Sequence, residues 1–416
     1  MAMTDAASRK LSGKPGACRM EVLDSLEAVE TFLPRWRHFV ENDASPITVF
    51  QTPGWMLSAM RRLYASDAGG AIRLTVVHDA SGIAMIVPLA LATVGNVRIL
   101  KWLGDPLFEY GDAIVRRDRD AAGLFADAVT HIVRRDAVDA IHLRKVRDDA
   151  AVSGYLSRHG VVLPNATRAP FVVLTASMTV APGPVGAGAR TAKNNRRKRR
   201  RLAELGKLSF EVSPAGAPAR HLGRLALDLK QRWLSERGLV SRTLADAACV
   251  DAVVEVIGDP ESGAQVSALS LDEKPIAVEI GFVKRRTYYS YLAAIEPAFA
   301  RFSPGSLQLA DTIAWCHANG VECVDLLGPD DEHKRSWSTG STGLKDWAVP
   351  LTLRGKVHAR LMLGVIEPAI KDAYRRSPVP VRRLAKGIAF GRNVRRGIVA
   401  AIALGGIGVA AMALAD

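Results

Sequence analysis

From Thr287 to Trp337 the chain reads TYYSYLAAIEPAFARFSPGSLQLADTIAWCHANGVECVDLLGPDDEHKRSW, and no other stretch restricts the fold so tightly. The β-branched and aromatic run Thr287 to Ile295 predicts a strand, and Pro297, Pro304 and Gly305 punctuate the turn that follows. Leu307, Ala310, Ile313, Ala314 and Cys316 or His317 then recur at spacings of three and four, an amphipathic helix stopped at Gly320. A second strand, Glu322 to Leu327, ends at Gly328 and Pro329 and delivers a polar cluster. Strand, helix and strand in this order form a crossover, so the two strands are expected side by side and parallel.

The loop into the helix places Ser303, Pro304, Gly305 and Ser306 where backbone N–H groups lack intrahelical partners and carry partial positive charge. That suits a phosphate or pyrophosphate, and Arg301 adds a cation two residues before Ser303. Ser-Pro also starts helices for capping alone, so both readings stand.

These residues carry a resemblance. The run YYSYLAAIEPAFARFSPGSLQL, followed by VDLLGPDDEHKRSW, resembles the second half of a GNAT-type acyltransferase of the CelD-like branch, related to the Fem-type aminoacyl transferases. The matching positions are Ser303, Pro304, Gly305 and Leu307, then Asp325, Leu327, Gly328, Lys334 and Trp337; the glycine-richer loop usual in GNAT proteins is not matched. The resemblance implies an α/β (α+β) fold of two tandem GNAT-like domains, each a mixed central sheet flanked by helices. It implies an acetyl-CoA or longer acyl-CoA donor held by Arg301, Ser303, Gly305, Ser306 and Leu307, with no metal. Removal of a proton from an attacking amine or hydroxyl needs a base, and the leaving thiolate needs a donor. Asp325 at the strand end is the expected base, Tyr289 or Tyr291 the expected donor, and Lys334 joins them in the densest titratable cluster near the loop. Trp233, Trp337 and Asp330 are expected around the substrate, the tryptophans walling a pocket or filling a core. A charged loop over packed tyrosines remains the plainer alternative.

The chain has 416 residues, enough for two or three domains, and 48% hydrophobic with 24% charged residues is a globular balance. Its formal charge of +14 is concentrated. Lys193 to Arg201 holds seven basic residues and no acid; Arg354 to Arg396 holds twelve basic and two acidic, so the two segments carry +17 and the remainder about −3. The basic run KNNRRKRRRLAELG fits a nucleic-acid arm, a solvated helix face or, by the resemblance, a helix lining the groove for an anionic donor or glycan. It lacks interleaved aromatics for base stacking.

Cys18, Cys249, Cys316 and Cys323 form no C-x-x-C pair, which argues against a zinc ribbon or redox dithiol, and Cys316 and Cys323 read as buried thiols. Charges at Arg9, Lys10, Lys14 and Arg19 without an apolar run predict no secretory signal and a cytoplasmic, reducing location. The one G-x-G-x-x-small match, Gly406 to Ala411, leaves no room for a βαβ unit, and neither a G-x-S-x-G nor an H-E-x-x-H motif occurs.

The expected organisation is a disordered 1–18, an N-terminal GNAT-like domain 19–175, a Pro/Gly/Ala-rich linker 176–190, a C-terminal acyltransferase domain 191–355 and a basic, apolar helical tail 356–416. Uncharged for 18 residues, Ile398 to Ala415 is either a weak anchor on anionic lipid or an Ala-rich helix packed on the domain. The leading expectation is an acyl-CoA-dependent acyltransferase working on a small-molecule or glycan acceptor in bacterial envelope, cellulose or exopolysaccharide metabolism, tethered to the inner face of the cytoplasmic membrane. Two alternatives stand beside it: a Fem-type aminoacyl transferase using charged tRNA, and a non-catalytic GNAT-fold scaffold.

Overall fold

The structure, a computed structural model, describes residues 18–64, 71–175 and 189–383, with the backbone alone at 189–192. The expected disordered start, the linker and the apolar run 398–415 fall outside these residues but for their edges.

The first half runs β1 (Arg19–Leu23), α1 (Leu26–His38), α2 (Pro53–Leu63), β2 (Ile72–Asp79), β3 (Gly82–Val94), β4 (Val97–Trp102), β5 (Ile114–Val115), α3 (Ala121–Asp136), β6 (Ala140–Arg147), α4 (Ser153–His159), β7 (Val161–Val162) and β8 (Thr167–Val173). The second half runs α5 (Ala189–Ala203), β9 (Leu208–Pro214), α6 (Ala217–Glu236), α7 (Arg242–Ala245), α8 (Ala247–Gly258), β10 (Ala264–Leu271), β11 (Lys274–Lys284), β12 (Thr287–Ile295), α9 (Pro304–Ala318), β13 (Cys323–Asp325), α10 (Glu332–Arg335) and β14 (Gly340–Pro350). It closes with a continuous helical run of α11 (Leu353–Val357), a π-helical stretch His358–Ile366 and α12 (Glu367–Arg376).

All strands among the described residues belong to one mixed sheet, whose main path is β1-β2-β3-β4-β6-β14-β8-β13-β12-β11-β10-β9. Each half repeats one plan. Three antiparallel steps, β1 to β4 and β9 to β12, are followed by a parallel crossover, through α3 to β6 and through α9 to β13. The halves then exchange their last strands: β8 of the first pairs with β13, β14 of the second pairs with β6, and the two exchanged strands pair with each other. The tandem α/β architecture expected from the sequence is therefore present, with the sheet running without a break from one half into the other.

Local chemistry explains the elements. Gly82 takes a φ of 116° to close the β2–β3 hairpin, where Asp79 faces Gly82 and accepts a hydrogen bond from the Ser81 N–H. Helices cover both faces of the sheet. On one face α1, α2, α6 and α8 share a single apolar core reaching from Trp36 and Trp55 to Val253 and Phe282, so side chains of both halves interlock. On the other, α3 and α4 bury the first half's core while α9 buries the second's, around Tyr288, Ile313 and Trp337. Cys249 and Cys316 are buried free thiols, and Cys323 is half-buried.

One expectation needs correction. The strand after the crossover is Cys323–Asp325 rather than Glu322 to Leu327, because Leu327 turns into the left-handed region with φ of 58° and ends the extended backbone. The closing helical run starts at Leu353, capped by Thr352, whose hydroxyl accepts from the Gly355 N–H. The exchanged strands β8 and β14 were not foreseen.

At the exchange, the Phe171 ring lies across Gly340, so that a Cβ at 340 would stand 2.7 Å from the ring, and Phe171 and Gly340 are register partners. Gly340→Val forces the ring away and should cost about 1–3 kcal/mol. Thermal unfolding measures it: a variant as stable as the parent would show that the Phe171 packing contributes nothing to the seam.

Candidate functional site

The site follows from how β12 and β13 part. They pair in parallel over only three positions, ending at Tyr289 opposite Asp325. On β12 a bulge at Tyr291 then shifts the register against β11, while the other chain turns away through Leu327 to Pro329. The gap opens into a cleft of about 840 Å³, walled by Ser290, Tyr291, Leu327, Gly328 and Pro329 and by residues of the first half. Arg144, Lys145, Lys230, Arg242, Lys334, Lys371 and Arg375 line it, seven cations against the two carboxylates of Glu109 and Asp346, so it favours an anionic occupant. Tyr291 donates its hydroxyl to the Leu107 carbonyl at 3.2 Å, and burial holds its pKa well above the ordinary phenol value. Lys334 donates to the Leu327 and Pro329 carbonyls, each at 3.1 Å, and burial lowers its pKa; Lys230 is lowered for the same reason.

Asp325 and Tyr289 face a different space. A pocket of about 390 Å³ is lined by both, with Tyr110, Asp112, Arg147, Asp149 and Phe171. The Asp325 carboxylate is fully engaged: Oδ1 accepts from the Tyr110 hydroxyl at 2.7 Å and the Leu327 N–H at 2.9 Å, and Oδ2 accepts from Arg147 Nη1 at 3.0 Å. Burial pushes its pKa up, against the Tyr110 and Arg147 contacts that favour the charged form. Arg147 also forks onto Asp149 and lies over the Tyr110 ring, 4.9 Å from its centroid. Burial raises Asp112 to about 7, although it accepts from the N–H groups of Ala113, Ala151 and Val152. Burial also raises the pKa of Tyr289.

The expected phosphate loop lies at the start of α9, and the basic helix α5 packs against it. Asn195, Lys198, Arg199 and Leu202, at helical spacing, face inward. Lys198 Nζ donates to Ser303 Oγ at 2.7 Å, Ser306 Oγ contacts Asn195 Oδ1 at 3.4 Å, and Arg199 pairs with Asp311. Ser303 sits at φ 50°, and its side chain makes no capping bond to α9. Asn195 is buried with its Nδ2 unpartnered. The outer face of α5 leaves Lys193, Arg196, Arg197, Arg200 and Arg201 exposed.

The remaining expected residues divide. Leu307 packs in the core beside Leu202 and Phe302, and Gly305 has no room to spare, since a Cβ there would stand 3.2 Å from Ile295. Arg301 is exposed over the Phe302 ring. Asp330 is half-buried at 3.8 Å from Arg335. Trp233 is half-buried between Lys230 and Arg237, outside both cavities. Trp337 is wholly buried in the core under α9 and lines neither cavity. Sequence reasoning missed the first half's contribution: Tyr110, Arg144, Lys145 and Arg147. The available signal was IHLRKVR, three cations inside a strand flanked on both sides by other strands. Among the described residues, no group of three or more His, Cys, Asp or Glu side chains could hold a metal ion.

Residues 189–335 match the family model described as an acetyltransferase (GNAT) domain. Among solved structures, FemX superposes with a TM-score of 0.52 at 12% identity, covering 79% of this chain and 98% of that one. L-PGS from Bacillus licheniformis gives 0.48 at 13% identity (82% and 98%), and a tandem GNAT protein of the clavulanic acid biosynthesis pathway gives 0.45 at 13% (80% and 98%). At these identities the likeness is one of fold. No curated protein matches the chain.

Because Asp325 joins three donors drawn from both halves, Asp325→Asn should lower stability by on the order of 2 kcal/mol. Thermal unfolding and acetyl transfer measured on the same variant decide its role: unchanged stability with a lost rate would make it a base instead of a seam residue.

Proposed function

We propose that the protein is an acyltransferase that takes its acyl group from a CoA thioester and transfers it to an amine or hydroxyl of a small-molecule or glycan acceptor, as in the CelD-like proteins of envelope and exopolysaccharide metabolism. The observation that carries this reading is the meeting at the α9 start of three features that each suit a phosphate: the helix N-terminus, Lys198 and the unpartnered Asn195 amide. Supporting it are the GNAT domain match over these residues and the cationic cleft beside the splayed strands.

On this reading the pyrophosphate rests at Ser303 to Ser306, and the acyl arm runs along the β12 edge that β13 leaves unpaired beyond Tyr289. The acceptor heteroatom attacks the thioester carbonyl, the C–S bond breaks, and the proton lost by the acceptor is balanced by one returned to the thiolate. Tyr291 stays a phenol inside the cleft, and on this reading it exchanges its bond to the Leu107 carbonyl for the sulfur as the thiolate leaves. Lys230 and Lys334, with lowered pKa values, are the cleft's candidates for accepting a proton. Asp325 positions Leu327 and hence the cleft wall.

Ser306→Asp separates donor binding from folding. An acid in the first turn favours the helix, so stability should hold, while repulsion of phosphate should weaken acetyl-CoA binding about tenfold or more. Calorimetric titration with acetyl-CoA checks it, and undiminished affinity would remove the loop from the donor site.

A second reading, aminoacyl transfer from charged tRNA, is favoured by the five exposed cations on the outer face of α5, which line neither of the two cavities. Replacing Arg196, Arg197 and Arg200 with Gln should then abolish salt-sensitive tRNA retention on filters. Absence of retention by the parent protein at low salt would dispose of this reading.

A further inference from the structure

The helical run Leu353–Arg376 is apolar on two sides. Gly355, Ala359 and Leu363 form its buried row, the last two packing on Leu163 and Ala348. Two residues out of step, Leu353, Val357, Leu361 and Val365 form a second row at steady four-residue spacing, exposed to 78%, 54%, 49% and 57%. A two-residue offset in a helix is about half a turn, so the second row points away from the protein. Four large aliphatic side chains in line are not scattered surface hydrophobics but a contiguous ridge. Among the described residues, nothing covers it.

We infer that this ridge docks the protein on an anionic lipid surface, as an interfacial helix that lies along the bilayer. Charge complementarity selects that occupant. Arg354, Lys356 and Arg360 are exposed between and beside the ridge positions, and Arg375, Arg376 and Arg383 are exposed just beyond it. Residues 353–383 contain eight Lys or Arg and two acids, Glu367 and Asp372, both of which bridge to Lys371 and Arg376 on the same helix. An aliphatic ridge bordered by basic side chains matches the acyl boundary and the phosphate layer of a membrane. No helix among the described residues is long and apolar enough to cross one, so the contact is lateral. The same helical run supplies Lys371 and Arg375 to the cationic cleft, which links the docking face to the site.

The test uses the full chain with vesicles of phosphatidylcholine alone or mixed with phosphatidylglycerol. The parent should co-sediment with the mixed vesicles and be released by salt. A variant carrying Leu353→Gln, Val357→Gln, Leu361→Gln and Val365→Gln, all at exposed positions, should bind about tenfold or more weakly. An unchanged melting temperature for the variant shows that the protein has not unfolded. Equal binding by parent and variant, or none by the parent, overturns the inference. So does a parent that is dimeric without vesicles and a variant that is monomeric, since the ridge would then be the contact between two copies.

Discussion

A single buried carboxylate joins the two halves where they matter most. Asp325 belongs to the second half, and Tyr110 and Arg147, which donate to it, belong to the first. Each partner would be expensive to bury alone: a carboxylate or guanidinium out of water costs several kcal/mol unless its hydrogen-bonding capacity is met. Here every participant is satisfied, with Asp149 taking the other edge of Arg147 and the Leu327 N–H completing Asp325. The network therefore fixes the angle at which the chain leaves β13. That angle decides how far Leu327 to Pro329 stand from β12, and so the width of the cleft. Lys334 braces the same turn from outside through two carbonyls.

The charge map follows from this geometry. A protein with formal charge +14 could spread its cations evenly, yet both basic segments of the sequence end beside candidate anion sites. One segment is α5, whose inner face reaches the α9 start; the other supplies Lys371 and Arg375 to the cleft. The smaller pocket around Asp325 has the opposite character, with Asp112, Asp149 and Asp325 against Arg147 and three aromatic walls, Tyr110, Tyr289 and Phe171. With one guanidinium among its lining residues against seven cations in the cleft, the smaller pocket has less to offer an anionic group.

What the sequence reveals and hides follows from where each element finds its partners. The hairpin β2–β3, the crossover β12–α9–β13 and the basic helix are carried by local periodicity and punctuation, and all were legible. The strands that exchange between halves were not. The strand Thr167–Val173 contains Pro170, and Gly340–Pro350 begins GSTG and includes Lys345 and Asp346, so neither alternates as a half-buried strand should. Their strand character comes from pairing with each other and with β13 and β6, contacts that no local window contains. The candidate site has the same limit. Asp325 was visible, but its partners lie 215 and 178 residues away along the chain, and only the folded sheet shows the carboxylate to be engaged. For Trp337 the sequence left a pocket wall and a core residue open, and only the folded chain shows the ring turned inward beneath α9.

The duplicated plan also explains why one half and not the other holds the candidate donor site. Both halves place a helix between the strands of a parallel crossover, so both could offer a positively charged helix start. In the first half, Asp120 caps α3, and its carboxylate accepts from the N–H groups of Ala122 and Gly123. The position a phosphate would occupy is thus filled by the chain's own anion, and the helix end is neutralised. In the second half the equivalent residue is Ser303, uncharged, left-handed and turned toward Lys198, and it makes no capping bond. Identical topology with opposite capping chemistry gives one closed helix start and one that a ligand can complete. On the proposed reading the first half then serves as a wall, lending Arg144, Lys145 and Glu109 to a cleft whose donor-binding residues all belong to the second.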